Sequence, residues 1–442
     1  MARLDPEPRS RHERPYEVLR YRDFRLIWSA EVVSQTGTHI QRVAVAWQVF
    51  DMTGDPLQLG LLGLARFIPL FLFGLAAGVA ADRYDRRATL IAAQVALMAI
   101  ATAFAGLTAA NLITLPWIYA LTAVSSLFSA VSAPTRHAMV PTLVPATAMP
   151  AAVTMGVLTF QSAGMLGPAV GGVLVASVGV AASYAVDAVS FGVVAVATFA
   201  LRTRPERQAP TISGFAAAQE GLRFLRDSPI LLATMGLDFL ANFFGASTTL
   251  MPIFAADILG GGPQTLGWLL SAPAVGSVLG ATFLASRRAL PRPGLGILAA
   301  IVVYGLSLTA FALSRDLWLS LACLAASGAA DSVSVSQRHT LRNLLSPDRL
   351  RGRVAAAHDT FAGGGPQLGK LQAGIVATWT SAPTAVAIGG LGTVLAALAV
   401  WRWVPGLARY QWTTDAAARR PDSRGTRSSA TKSIDERGSG SI

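Results

Sequence analysis

Gly78-Val-Ala-Ala-Asp82-Arg83-Tyr84-Asp85-Arg86-Arg87 separates two long apolar runs, 57–81 and 88–110. A segment needs about 20 apolar residues to cross the hydrocarbon of a bilayer. Two such runs joined by so short a charged link make a hairpin in the membrane. Basic residues in short loops are retained on the inner side, so the arginines place this link in the cytosol.

The rest of the chain repeats the pattern. Of its 442 residues, 52% are hydrophobic and 14% charged, with a mean hydropathy of +0.49. Soluble domains carry about 25% charged residues, so the composition specifies a multi-pass membrane protein. Apolar runs cover 24–50, 57–81, 88–110, 115–133, 151–177 and 180–201, then 230–258, 266–286, 294–314, 317–336, 354–380 and 382–404. The expected organisation is an all-α protein with twelve transmembrane helices in two six-helix bundles. It comprises an N-terminal tail (1–23), a first bundle (24–201), a linker (202–228), a second bundle (229–404) and a disordered tail (405–442). Within the linker, Ile212, Phe215, Leu222 and Leu225 recur at helical spacing with Glu220, Arg223 and Arg226 off that stripe. An amphipathic helix on the membrane surface fits.

The net charge of +12 does not point to nucleic acid. The arginines collect in the tails and in alternate loops, where they set topology and meet anionic lipid. One set of loops holds Asp51, Asp55 and Asp257 with Arg315 as its one basic residue. The other holds Arg83, Arg86, Arg87, Arg136, Arg202, Arg204, Arg207, Arg287, Arg288, Arg292, Arg338, Arg342, Arg349, Arg351 and Arg353. Both termini are therefore expected in the cytosol of a cell (inner or plasma) membrane. The single cysteine, Cys323, leaves no intrachain disulfide or cysteine-based metal cluster. The polar, arginine-rich residues 1–23 lack the short apolar run of a cleavable leader.

The two halves match. Glu31-x-x-x-Gln35 reappears 207 residues on as Asp238-x-x-x-Asn242, and Pro56-x-x-x-Gly60 as Pro263-x-x-x-Gly267. Gly78 meets Gly280, and Arg136-His137 meets Arg338-His339, both at an offset of 202. Gly167-Pro168-x-x-Gly171 meets Gly365-Pro366-x-x-Gly369 at 198, which aligns Lys370 with Gly172. Parallel six-helix repeats are an arrangement of transporters that bind substrate at the interface of the halves.

On these residues the chain resembles the major facilitator superfamily from about 20 to 405. Gly78, Asp82, Arg83, Arg86 and Arg87 resemble its motif A. The stretch 163–172, with Gly164, Gly167, Pro168, Gly171 and Gly172, resembles its motif C, the antiporter signature of the fifth span. Phe24-Arg25-Leu26-Ile27-Trp28, Glu220-Gly221-Leu222-Arg223-Phe224 and Arg351-Gly352-Arg353-Val354 are similar to the branch of enterobactin exporters and macrolide efflux pumps. The resemblance implies export of a small amphiphile (a drug, macrolide or siderophore), often driven by protons. Two positions depart from the pattern. Asp85 stands where motif A has glycine, so its turn must form without one. The run 115–133 lacks the motif B arginine that helps move protons in many drug antiporters.

Ionisable residues within spans default to functional candidates. Glu31 and Gln35 share a helix face, as do Asp238 and Asn242. Facing one cavity, the acids could carry protons or meet a cationic substrate; bonded to loop arginines, they would be a structural lock. His39 and Arg42 lie deeper in the first span. Arg42 and Arg66 could hold an anionic group, or pair with an acid. Asp331, beside Ser327, Ser332 and Ser334, is a candidate for proton or substrate contact. Asp187 reads as structural, and so do His358 and Asp359 at a helix start. Gly364-x-x-x-x-Gly369-Lys370 imitates a phosphate-binding loop, but Leu371 follows and no strand precedes it. Lys370 then needs an acid across the cavity, or must snorkel. Motif C packs helices closely through its small residues. Trp28, Trp47, Trp117 and Trp318 read as interface anchors, and Asp82 is expected to latch the start of the eleventh span.

No hydrolytic motif, metal cluster or cofactor site is present in the sequence, so an enzyme is not expected. The leading expectation is a monomeric, proton-coupled exporter. An importer, a uniporter or a non-transporting scaffold remains open.

Overall fold

The computed structural model describes residues 15–83, 85–203, 223, 225–226, 228–286, 292–347 and 350–410; for 15, 74–83, 247, 351–353, 355–357 and 359–363 it describes the backbone alone. Among the described residues there is no strand. The first half contains α1 (Arg22–Thr53), α2 (Pro56–Arg83), α3 (Arg86–Ala109), α4 (Leu115–Leu143), α5 (Met149–Val178) and α6 (Val180–Phe199). The second contains α7 (Pro229–Phe244), α8 (Pro263–Ser286), α9 (Pro293–Leu313), α10 (Leu317–Leu345), α11 (Arg351–Trp379), α12 (Ala382–Trp403) and a short α13 (Pro405–Arg409). Ten helical segments among the described residues are long and apolar enough to cross a membrane. Helices α1 and α11 are not among them.

The packing repeats as the sequence does. In the first half α1 packs on α5 and α6, α2 on α4, and α3 on α4 and α6. In the second, α7 packs on α11 and α12, α8 on α10, and α9 on α10 and α12. The halves join through α2 against α11 and α5 against α8, two contacts related by the same symmetry. Call the end bearing Asp51, Asp55 and Asp257 the acidic end, and the other the arginine-rich end. At the acidic end one core cluster crosses both halves, with Val43, Val49, Leu59, Leu250, Leu266 and Ala373 among its members. At the arginine-rich end each half keeps its own clusters, such as Phe24, Leu90, Met139 and Leu143 in the first and Leu237, Ile297, Leu341 and Leu407 in the second.

Several boundaries differ from the hydropathy reading. Helices α4 and α10 run on to Leu143 and Leu345, beyond the expected 133 and 336. Arg136 and Arg338, expected in loops, are therefore helical; each has a carboxylate partner, so neither needs to end its helix. The seventh run is broken: Gly245 ends α7, and the chain continues through a 3₁₀ turn (Ser247–Leu250), one helical turn (Met251–Ile253) and a π turn (Phe254–Ile258). The Thr249 amide turns to the Ala246 carbonyl at 3.4 Å, and the Tyr304 hydroxyl donates to the freed Gly245 carbonyl at 3.2 Å.

Two short helical turns fall within the expected tails. Residues Pro15–Arg20 form a 3₁₀ turn whose Val18 is fully buried. In α13, Leu407 is buried against α9 at Gly294. Of the expected linker helix, Leu225 is buried beside Leu231 and Val354, while Arg223 and Arg226 are exposed; its other positions lie outside the described residues, as do 411–442.

The motif A link forms without its glycine. Asp85 has φ −58 and ψ 119, which any residue adopts, and its carboxylate accepts from the Ala88 amide at 2.7 Å as the N-cap of α3. Arg86 donates to the Ala138 carbonyl at 3.0 Å, and Arg87 to that of Phe199, tying α3 to α4 and α6. The side chains of Asp82 and Arg83, and with them the expected latch, lie outside the described residues, as do the surroundings of Gly78.

Candidate functional site: a cationic cavity between the halves

A cavity of about 760 Å³ lies between the halves on the arginine-rich side of their closest contacts. Three helices of the first half each present one face. Thr38, Arg42, Val45 and Ala46 of α1 recur at helical spacing; so do Leu59, Leu62, Gly63, Arg66 and Leu70 of α2, and Thr122, Ser125, Ser126, Ser129 and Ala133 of α4. The second half adds Thr248 and Thr249 from the broken seventh segment, Leu270 of α8, and Gln367 and Lys370 of α11. His39, Gly164 and Pro168 complete the wall near motif C.

Arg42, Arg66 and Lys370 thus meet in one space although they come from three helices. Arg66 and Arg42 are the charged neighbours that bear on Lys370. Asp187 of α6 is the acid that bears on Arg42; one of its carboxylate oxygens accepts from Ser190 at 3.1 Å, and the other has no hydrogen-bond partner. Among the described residues none of the three cations has a carboxylate within 4.0 Å. Lys370 donates to Gln367 Oε1 at 3.3 Å.

The acids of α1 and α7 sit elsewhere. Glu31 pairs with Arg136 of α4 at 2.8 Å and accepts from Gln35 Nε2 at 2.6 Å. Asp238 pairs with Arg338 of α10 at 2.8 Å and accepts from Asn242 Nδ2 at 3.0 Å. These are symmetry mates, and neither acid lines the large cavity. The second half adds two groups: Asp331 stands 3.8 Å from Arg338, and His358 Nε2 stands 3.7 Å from Asp238. The Asp331 side chain is 49% exposed, against 8% for Asp238. The arginine partners were marked in the sequence by the Arg136-His137 and Arg338-His339 repeat. The Thr248–Thr249 wall is signalled only by Gly245 and Pro252.

Motif C is a packing surface. A Cβ on Gly167 would lie 2.5 Å from that of His39, and one on Gly172 would lie 2.5 Å from the Pro263 carbonyl oxygen. Pro168 lies within α5 and stands against Gly267 of α8. The mirror contacts correct the sequence alignment of α5 with α11. Gly369 abuts Ala246, the symmetry mate of His39, and Gly374 abuts Pro56 and Gly60 as Gly172 abuts Pro263 and Gly267. The offset in space is 202, one helical turn from the 198 of the glycine–proline match, so Lys370 corresponds to Pro168 rather than Gly172.

Away from the cavity, the Tyr184 hydroxyl donates to Gln48 at 2.7 Å, and Gln48 donates to Thr108 at 3.2 Å, joining α6, α1 and α3 at the acidic end.

Two pseudo-symmetric helical halves around a polar cavity, closed together at one end, define a membrane transporter of the major facilitator type. The chain belongs to the transmembrane secretion effector family of that superfamily, which matches residues 14–418. It is 26% identical over 397 residues to the enterobactin exporter EntS of Salmonella choleraesuis (strain SC-B67), covering 88% of this chain and 94% of that one. It is 28% identical over 378 residues to the multidrug efflux pump Tap of Mycolicibacterium fortuitum, covering 80% and 88%. Among solved structures, an inward-facing bacterial homologue of the iron transporter ferroportin aligns with a TM-score of 0.67 at 15% identity, covering 86% of this chain and 98% of that one. An inward-facing bacterial homologue of Spinster aligns at 0.65 and 15%, covering 88% and 96%. At such identities the solved structures establish the fold alone. The family and these relatives are transporters, not enzymes, and the protein is a multi-pass membrane protein.

Proposed function

We propose that the protein exports a small amphiphile (a drug, macrolide or siderophore) across the cell's inner membrane by alternating access, driven by protons. The observation that carries this reading is the cavity of about 760 Å³ between the halves, within the 300–1,000 Å³ of drug-sized sites. The similarity to an enterobactin exporter and a multidrug efflux pump supports outward transport. All twelve long segments, α1 and α11 included, then span the bilayer. The arginines put the arginine-rich end and both termini in the cytosol, where they also meet anionic lipid. In this reading the acidic end is closed and the cavity faces the cytosol. Rocking of the halves about α2–α11 and α5–α8 would expose it to the other side. The protein works as a monomer, because each chain holds both halves. Proton coupling falls to Asp331, the most exposed of the three acids near the cavity's cytosolic side.

The test is transport in proteoliposomes of the full chain, followed with fluorescent amphiphiles at imposed pH gradients. Gradient-driven extrusion supports the proposal. Equal flux with and without a gradient would leave a uniporter, and movement with the opposite coupling an importer. No flux of any substrate, with secretion unaltered in a deletion strain, would leave a scaffold.

A further inference from the structure

We infer that the cavity selects organic anions: its substrate is a drug-sized amphiphile carrying at least one carboxylate, sulfonate or similar acidic group, bound by Arg42, Arg66 and Lys370. This rests on reading the cavity as the transport site.

The charge count around the cavity carries the argument. Its lining includes three residues with permanently or normally positive side chains and no carboxylate among the described residues. Asp187, which is not among the lining residues, is the acid that bears on Arg42 and offsets part of one charge. Among the described residues, Glu31 serves Arg136, and Asp238 and Asp331 share Arg338. A cation in the middle of a membrane protein is costly unless it is paired or solvated. Three of them facing each other also repel. An anion entering this space relieves both penalties, whereas a cationic drug would add to them.

The remaining walls define the rest of the ligand. Thr122, Ser125, Ser126 and Ser129 form a row of hydroxyls on α4, which packs against α2 of the cationic wall. Leu62, Leu70, Phe104 and Leu270 supply apolar surface. An aromatic or macrocyclic body that carries oxygen acceptors and an acidic group fits this lining. Arginine supplies paired donors for planar oxyanions, and Lys370 acts as a point charge.

The test is equilibrium binding to the full chain in nanodiscs, using two probes that share a fluorophore: dansylglycine, which carries a carboxylate, and dansylaminoethyl-trimethylammonium. Wild type is expected to bind the anionic probe at least tenfold more tightly. Arg66→Gln and Lys370→Gln should each weaken that binding at least tenfold and leave the cationic probe within threefold. Arg66→Lys should restore most of the loss, which separates charge from folding. Equal affinity of wild type for both probes would overturn the inference, as would parallel loss of both probes in Arg66→Gln with no rescue by Arg66→Lys. Transport is read separately: anion-selective binding without flux in proteoliposomes would reject the exporter reading and leave the selectivity standing.

Discussion

The guanidinium of Arg136 stands 2.8 Å from the carboxylate of Glu31, joining α4 to α1, and both side chains are nearly buried. The same pair recurs as Arg338 and Asp238 between α10 and α7. Each acid also holds the amide one turn further along its helix, Gln35 or Asn242. Two symmetric locks thus fix the first helix of each half to the fourth at the arginine-rich end.

Breaking one lock strands a charge. Removing one member of a buried pair costs about 3–5 kcal/mol, so Arg136→Ala and Glu31→Gln should each lower thermal stability in detergent by several degrees. The exchanged pair Glu31→Arg with Arg136→Glu should recover part of it. The measurement is a melting curve for each variant. A Glu31→Gln variant as stable as wild type, with its pH-dependent transport lost, would instead make Glu31 a proton carrier.

Asp331 breaks the symmetry. It is the second acid on Arg338, and its side chain is half exposed. Because Asp238 pairs with the guanidinium at 2.8 Å while Asp331 stands 3.8 Å away, Asp331→Asn should fold and melt like wild type. The expected effect is at least a tenfold loss of gradient-driven flux, with counterflow of labelled substrate retained. Unaltered gradient dependence in this variant removes Asp331 from the coupling.

These locks show what the sequence discloses and what it withholds. Helical runs, the two-fold repeat and the acid–amide pairs are one-dimensional patterns, legible because apolar spans and internal duplication leave periodic traces. Arg136 and Arg338 were visible as a repeat, but hydropathy treats any arginine as the end of a span. Their partnership depends on α1 approaching α4. The convergence of Arg42, Arg66 and Lys370 is still less legible, since it requires the relative rotation of three helices. The one-turn slip between α5 and α11 has a related cause. Glycine-rich helices match themselves at several offsets, and only contacts such as Gly369 on Ala246 choose among them.

The start of α1 carries a pH-sensitive tie. Asp23, just before the apolar run 24–50, accepts from the Arg202 amide at 3.0 Å and from the Thr203 amide and hydroxyl at 2.9 and 2.8 Å, and pairs with Arg22. Burial works to raise its carboxyl, but the bonds from Thr203, Arg202 and Arg22 outweigh it and hold it below its ordinary value of 3.8. A carboxyl lowered by folding stabilises the protein fully above 3.8, and that contribution fades as pH falls through the lowered value. Asp23→Asn should therefore cost about 1–3 kcal/mol near neutrality, and its melting point should converge on wild type in acid. A deficit that stays constant down to pH 3 would contradict this.

The closure at the acidic end can be tested by steric insertion. A Cβ on Gly172 would meet the backbone of α8, 2.5 Å from the Pro263 carbonyl oxygen and 2.9 Å from the Gly267 Cα. Backbone cannot yield as a side-chain tip can, so Gly172→Val must push α5 from α8. The mirror glycine behaves alike: a Cβ on Gly374 would stand 2.8 Å from the Pro56 carbonyl oxygen, between α11 and α2. Gly156→Ala is the control on the same helix, away from the cavity lining, because its added carbon would find nothing within 4 Å. With Cys323→Ser as background, a cysteine replacing Thr249 reports on the cavity wall. Gly172→Val and Gly374→Val should speed its labelling from the acidic side several-fold and cut transport at least tenfold, while Gly156→Ala changes neither. If the two valine variants labelled like wild type, the halves would not be held together by these contacts, and the pivot for rocking would have to lie elsewhere on α2–α11 and α5–α8.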